Sequence, residues 1–191
     1  HGKSQLVSIM FPAWFLGRNP NKKVMMVSHT TDLAVDFGRK VRNLIATETY
    51  QDIFPTVALA VDSKSAGRWN TNSGGEYYAC GIGSSIAGRG ADLLLVDDPH
   101  SEQDVINGNF EVFEKAYDWF TFGARTRLMP GGRVAIIQTR WHMDDLTGRV
   151  TKDMVNNDKS DQYEVVEFPA IMDVETVSYT HLEPTRPIDI S

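Results

Sequence analysis

The stretch Leu93-Leu94-Leu95-Val96-Asp97-Asp98 is an apolar run short enough for one buried strand, closed by two adjacent carboxylates and then Pro99. A strand that is apolar at every position has both faces covered, which is the mark of a parallel sheet between helices. The segments around it keep that rhythm. Lys23–Ser28 reads as a second buried strand, through Val24-Met25-Met26-Val27, and 133–138 as a third. Helices are expected over 3–16, over 110–128 and over 144–154. Another starts from a Thr30 or Thr31 cap and carries the apolar face Leu33, Ala34, Phe37, Val41, Leu44 and Ile45. Shorter strands are expected at Arg68–Asn70 and 76–80, within a Gly-, Ser- and Asn-rich region, and a last one at 163–168. Pro12 is awkward inside the first helix, and Pro130-Gly131-Gly132 breaks the helix that precedes the third buried strand. The alternation predicts an α/β fold, a mainly parallel sheet with helices on both faces.

Composition narrows the class. A chain of 191 residues, 41% hydrophobic, is enough for one domain with a sizeable core. The single cysteine, Cys80, excludes an internal disulfide and a cysteine-rich metal site. No apolar run approaches the ~20 residues of a membrane helix, so no membrane partner is expected. The net charge of -6 argues against a surface built mainly to coat nucleic acid.

Three groups of residues carry chemistry. Ligands of open α/β sheets bind beyond the carboxyl ends of the strands, where Asp97 and Asp98 fall. There Asp97 is placed to hold Mg2+ and Asp98 to polarise a water. Gly2-Lys3-Ser4 matches the second half of a phosphate loop, G-x-x-x-x-G-K-[ST]. In such a loop the glycine lets backbone amides wrap phosphates, the lysine reaches the β and γ oxygens, and the hydroxyl meets Mg2+. Gly2, Lys3 and Ser4 are therefore the expected nucleotide contacts, with Ser4 and Asp97 on the metal and ATP with Mg2+ as cofactors. Thr139-Arg140-Trp141-His142 follows a strand to the same rim, where Thr139 and Arg140 can couple γ-phosphate loss to the next helix. A zinc site built on His100 and His142 lacks the usual ligand spacing.

Taken in order, Gly2-Lys3-Ser4, Val27-Ser28-His29-Thr30, the run from Gly83-Ser84-Ser85 through Gly88-Arg89-Gly90-Ala91-Asp92 into Pro99, and Thr139-Arg140-Trp141-His142 with Asp144-Asp145 resemble the large terminase subunit of tailed phages, over roughly residues 1 to 170. The resemblance implies a RecA-like ATPase domain (an ASCE P-loop NTPase) that forms a homo-oligomeric ring. Such a ring works at the portal protein of an empty capsid, with the small terminase subunit, to drive double-stranded viral DNA inside. It would do so in the host cytoplasm and would not be retained in the mature virion. Asp98 stands where this class usually has glutamate. The family's nuclease would lie outside these residues. The expected organisation is an ATPase domain over 1–174, entered part-way through its phosphate loop, with 175–191 a linker or foreign tail.

Arg89, between Gly88 and Gly90, gains little from helix or strand packing, and a guanidinium can bridge phosphate oxygens. It is a candidate arginine finger acting on a neighbouring subunit's nucleotide, against a DNA-backbone contact or a salt bridge to Asp92 or Asp98. Two other functions fit parts of the pattern: a superfamily-2 helicase or DNA translocase, and a non-enzymatic α/β binding module with a degenerate loop.

Overall fold

The computed structural model describes residues 2–63 and 65–168. Five strands form one sheet in the order β2-β3-β1-β4-β5, with β1 at Lys23–Ser28, β2 at Arg68–Asn70, β3 at Glu76–Gly81, β4 at Ala91–Asp97 and β5 at Leu128–Ile137. β3, β1, β4 and β5 run parallel, and β2 pairs antiparallel with β3 at one edge. The expected mainly parallel α/β sheet is present. β4 lies between β1 and β5, so its apolar residues of both parities are buried, Leu93 and Leu95 on one face, Leu94 and Val96 on the other.

The first of these faces meets the N-terminal helix and α2 (Thr31–Ile45). Ile9, Ala13 and Leu16 from the former and Ala34, Phe37, Val41 and Ile45 from the latter join Val24, Met26, Leu93 and Leu95 in one core. Thr30 caps α2, its hydroxyl accepting from the Leu33 amide at 3.3 Å. The N-terminal helix is π-helical over Gln5–Met10 and becomes regular as α1, Phe11–Arg18. Pro12 lies just past the junction. It has no N–H to give the preceding turn, the widened turn absorbs the loss, and the helix continues through it to Arg18. Its outward stripe, Leu6, Met10 and Trp14, stays exposed.

Two short helices were not legible, α3 at Glu48–Ile53 and α4 at Glu102–Ile106. Both start from side-chain caps, Thr47 and Ser101. α5 (Glu111–Asp118) continues through a π-helical segment, Trp119–Ala124, and a tight turn, Arg125–Arg127. β5 then begins at Leu128 rather than Arg133: Pro130-Gly131-Gly132 lies within the strand, as a bulge in its pairing with β4 between Ala91 and Leu93. Gly131 takes a φ of 76° there, a conformation that suits glycine. α6 covers Leu146–Asn156.

Residues His1–Ser160 form one compact unit. In the described part of the second, 161–168, there is no strand. The strand expected at 163–168 is thus corrected: Val165, Val166 and Phe168 are all exposed, so no alternation buries one face. The boundary expected at 174 and the segment 175–191 lie outside the described residues.

Gly38 shows how tightly α2 sits on the sheet. A Cβ there would meet the Ala66 carbonyl oxygen at 2.6 Å and the Tyr77 ring at 3.0 Å. The Gly38 carbonyl accepts from the Trp69 indole at 3.1 Å, and that indole stacks on Tyr77 at 4.8 Å. In an unobstructed helix Gly→Ala stabilises by about 1 kcal/mol. Here Gly38→Ala is expected to destabilise by about 1–3 kcal/mol through overpacking. A urea melt in which the variant is the more stable protein contradicts this packing.

Candidate active site

Because the four long strands are parallel, their carboxyl ends share one rim. β4 brings Asp97 to it, β1 brings Ser28 and β5 brings Ile137, and the start of the N-terminal helix arrives above. Lys3 Nζ donates to Thr139 Oγ1 at 2.7 Å and to Asp98 Oδ1 at 3.3 Å. Both members of that ion pair are partly exposed, with side chains 39% and 37% accessible. Gly2, just before Lys3, has a φ of 112°, which only glycine adopts without strain.

Beneath them Asp97 is fully buried. The Ser8 hydroxyl donates to its Oδ2 at 2.6 Å, while Oδ1 has no hydrogen-bond partner. Burial raises the Asp97 pKa above the usual carboxylate value; the Ser8 and Ser4 hydroxyls oppose the rise, Asp98 adds to it and Lys3 lowers it. A buried carboxylate oxygen without a donor, beside serine hydroxyls, is a hard-oxygen setting that suits Mg2+. Among the described residues no three or more His, Cys, Asp or Glu are grouped so as to hold a metal ion by themselves. Most of a cation's remaining coordination would come from water or ligand oxygens, as Mg2+ prefers.

Asp98 has a φ of 44° and is the one non-glycine residue with positive φ among those described. Its amide donates to the Ile137 carbonyl at 2.8 Å, and its carbonyl accepts from the His29 amide at 3.2 Å. The His29 ring Nδ1 lies 3.0 Å from the same carbonyl, and the Ser28 hydroxyl donates to it at 3.4 Å. The Thr139 amide lies 3.4 Å from Asp98 Oδ1 and closes the rim from the β5 side.

After Thr139 the chain folds around one carboxylate. Asp145 is fully buried; its Oδ2 accepts from Arg140 Nε at 3.0 Å and from the Trp141 and His142 amides at 3.1 and 3.3 Å. Its Oδ1 caps α6 by accepting from the Gly148 amide at 2.9 Å. Burial works to raise the Asp145 pKa, but these amides and Arg140 outweigh it and hold the group ionised. His100 ties the β4 loop to the same helix start, its Nε2 accepting from the Leu146 amide at 2.9 Å. The ring packs edge-on against Phe113, on which His142 stacks.

The rim therefore brings together Lys3, Ser4, Asp97, Asp98 and Thr139. Arg140 turns away to Asp145. Arg89 is not among them: it precedes β4 and lies at the opposite rim, its guanidinium 3.8 Å over the Tyr78 ring and 3.5 Å from Glu76, the first residue of β3. Its salt bridge is to neither Asp92, which pairs with Lys22, nor Asp98. Sequence reasoning missed Ser8, although it lies one helical turn beyond Ser4 on an otherwise apolar helix face. It also gave no role to His29 or His100, and it read Asp145 without its hub.

Set beside known proteins, the family model for "Terminase large subunit, T4likevirus-type, N-terminal" matches residues 1–186. No curated protein matches. A solved chain, "Crystal structure of the HK97 bacteriophage large terminase", is 15% identical with a TM-score of 0.49, the match covering 83% of this chain. The matched region spans 31% of that chain's length.

His100 gives the site a pH signature. Burial pushes its pKa down to about 4; the Asp145 and Asp104 carboxylates oppose the shift and His29 adds to it. The unfolded chain takes up this proton near pH ~6.5, whereas the folded chain holds it off until about 4. Stability is therefore lost as pH falls through that window. His100→Gln keeps an acceptor for the Leu146 amide but does not titrate, so its stability should fall less between pH 6.5 and 4. The opposing contribution of Asp97 is common to both proteins and cancels. Parallel stability profiles, measured by urea melts across the window, would contradict the buried neutral imidazole.

Proposed function

This chain belongs to the T4likevirus-type terminase large subunit family, as its N-terminal part, and from that premise we propose that its rim binds and hydrolyses ATP with Mg2+ to drive double-stranded viral DNA into an empty capsid. The observation that carries the reading is Lys3, held between Thr139 and Asp98, the residue that follows the buried Asp97. One cation of this chain thus reaches the two strand ends where a nucleotide's phosphates would lie.

Lys3 would exchange partners. Its ammonium has three donors, and two of them go to Thr139 and Asp98. Arriving phosphate oxygens carry more charge and draw Lys3 onto themselves, which frees the Asp98 carboxylate to orient a water. Ser4 and Asp97 are the residues to hold Mg2+, Asp97 through the oxygen that lacks a protein donor. When bound, the metal neutralises charge on the phosphate oxygens. Thr139, released by Lys3, would report phosphate occupancy along Arg140 and Asp145 to α6.

On the same reading the subunit acts as a homo-oligomeric ring on the portal protein, with the small terminase subunit, in the host cytoplasm, and leaves before the virion matures. Among the described residues no helix is long and apolar enough to cross a membrane. An arginine finger from Arg89 would act only on a neighbouring subunit, and Arg89 would first have to leave Glu76 and Tyr78. Mixing Arg89→Ala with Lys3→Ala subunits decides it: activity returns in mixed rings if the finger acts in trans, and co-assembled rings that stay inactive discard it.

The site assignment is tested in the full-length subunit. Lys3→Ala should lower ATP turnover by ~10²-fold or more, the usual cost of one lost transition-state charge contact. Asp98→Asn should keep nucleotide binding and lose turnover, whereas Asp97→Asn should weaken Mg2+-dependent binding itself. Parental turnover in the Lys3 and Asp98 variants would remove the rim from the ATPase reading.

A further inference from the structure

In a regular strand Asp97 and Asp98 would point to opposite faces of the sheet. Yet both carboxylates meet the N-terminal helix segment, Asp97 through Ser8 and Asp98 through Lys3. The left-handed backbone at Asp98, with φ at 44°, undoes the alternation and turns the second carboxylate to the same side as the first. Positive φ is uncommon for a residue with a side chain, though aspartate tolerates it better than most, and such strain persists only where surrounding bonds enforce it.

Those bonds are on the page. The Asp98 amide is fixed to β5 through Ile137. Its carbonyl is gripped from β1 by the His29 amide at 3.2 Å and the His29 ring at 3.0 Å, with the Ser28 hydroxyl further off at 3.4 Å. A carbonyl oxygen only accepts, so Nδ1 of His29 carries the proton in this contact. Of the two side-chain donors, His29 has the shorter contact.

We infer that His29 is a positioning residue: its Nδ1–H clamps the Asp98 carbonyl in the left-handed conformation that aims the Asp98 carboxylate at Lys3 and the phosphate position. This rests on the reading of Asp98 as the group that orients the attacking water. His29 itself touches no reacting atom. Losing its donor lets the peptide after Asp98 relax and swings the carboxylate off line. A misplacement of about an ångström at such a group costs up to ~10²-fold in rate, and loss of a supporting hydrogen bond around a site typically costs ~10- to 100-fold. Nucleotide binding, which depends on Gly2, Lys3, Ser4 and Asp97, should change little.

The test uses the full-length subunit and two substitutions that separate donor from ring. His29→Asn places an amide N–H where Nδ1 stood and discards the ring. His29→Phe keeps a ring of similar size and discards the donor. The clamp predicts that His29→Phe loses ~10- to 100-fold in kcat with KM for ATP within about twofold, while His29→Asn stays close to the parent. His29 is only partly buried, so both variants should fold, and their thermal unfolding is measured alongside. The clamp is overturned by parental kcat in His29→Phe, by an active Phe variant beside an impaired Asn variant, or by equal losses in both. Asp98→Asn in the same assay keeps the two claims apart. If it retains turnover, the role of Asp98 fails; if it is inactive while His29→Phe is not, only the clamp fails.

Discussion

A carboxylate with no exposure sits at the end of β4, and much of the rim is arranged around its charge. Moving such a group out of water costs several kcal/mol unless donors or a cation compensate. Asp97 receives one good hydrogen bond, from Ser8, and leaves its other oxygen without a donor. Its raised pKa expresses that shortfall. The protein does not cure it with a second donor, as it does at Asp145, where three amides and Arg140 surround an equally buried carboxylate and lower its pKa. Two buried aspartates a few residues from one rim thus receive opposite treatment. The satisfied one is a structural hub, and the unsatisfied one is the place where positive charge is wanted.

That contrast also explains the N-terminal helix. Ser8 must reach Asp97 while Ile9, Ala13 and Leu16 stay in the core and Lys3 reaches over the rim. The π-helical segment Gln5–Met10 contains Ser8 and ends where α1 begins, next to Pro12. Widened turns of this kind often occur where a helix must serve a site as well as a core. The proline that looks disruptive in the sequence sits where the helix can accommodate a missing amide.

How much of this was legible follows from what periodicity encodes. An apolar run ending in Asp97-Asp98 states a buried strand and a polar end, and the capped amphipathic pattern of α2 states its buried face; both were read from the sequence alone. Periodicity states which face a residue lies on, not what waits across a gap of 89 or 69 residues. Nothing local to Ser8 announces Asp97, and nothing local to His29 announces the Asp98 carbonyl. Pro130-Gly131-Gly132 was read as a break because those residues oppose regular structure, yet a bulge uses the same conformations inside a strand. The misread strand at 163–168 had β-prone residues and no buried partner, which propensity alone cannot reveal. Arg89 was judged by its glycine neighbours, whereas its surroundings are set by Tyr78 and Glu76 on β3.

The rim and α6 are joined by bonds of unequal strength, and this limits how a signal could pass between them. Thr139 is held to the N-terminal helix by Lys3 through one partly exposed hydrogen bond. From Arg140 onward the loop is fastened to Asp145, which has no exposure, and α6 is fastened again through His100. A change in charge at Lys3 can break the first contact at little cost, because water can replace it. The Asp145 carboxylate, which holds the Trp141, His142 and Gly148 amides as well as Arg140, and the buried His100–Leu146 contact are not replaced that way, so the loop and α6 would respond as one piece. On the proposed reading Thr139 is the detachable contact and Arg140 belongs to the rigid piece, a division of roles between two adjacent exposed residues that follows from their partners, Lys3 for one and the fully buried Asp145 for the other. Spatial continuity alone does not establish coupling; it identifies Lys3–Thr139 as the bond whose making and breaking a coupling mechanism would have to use.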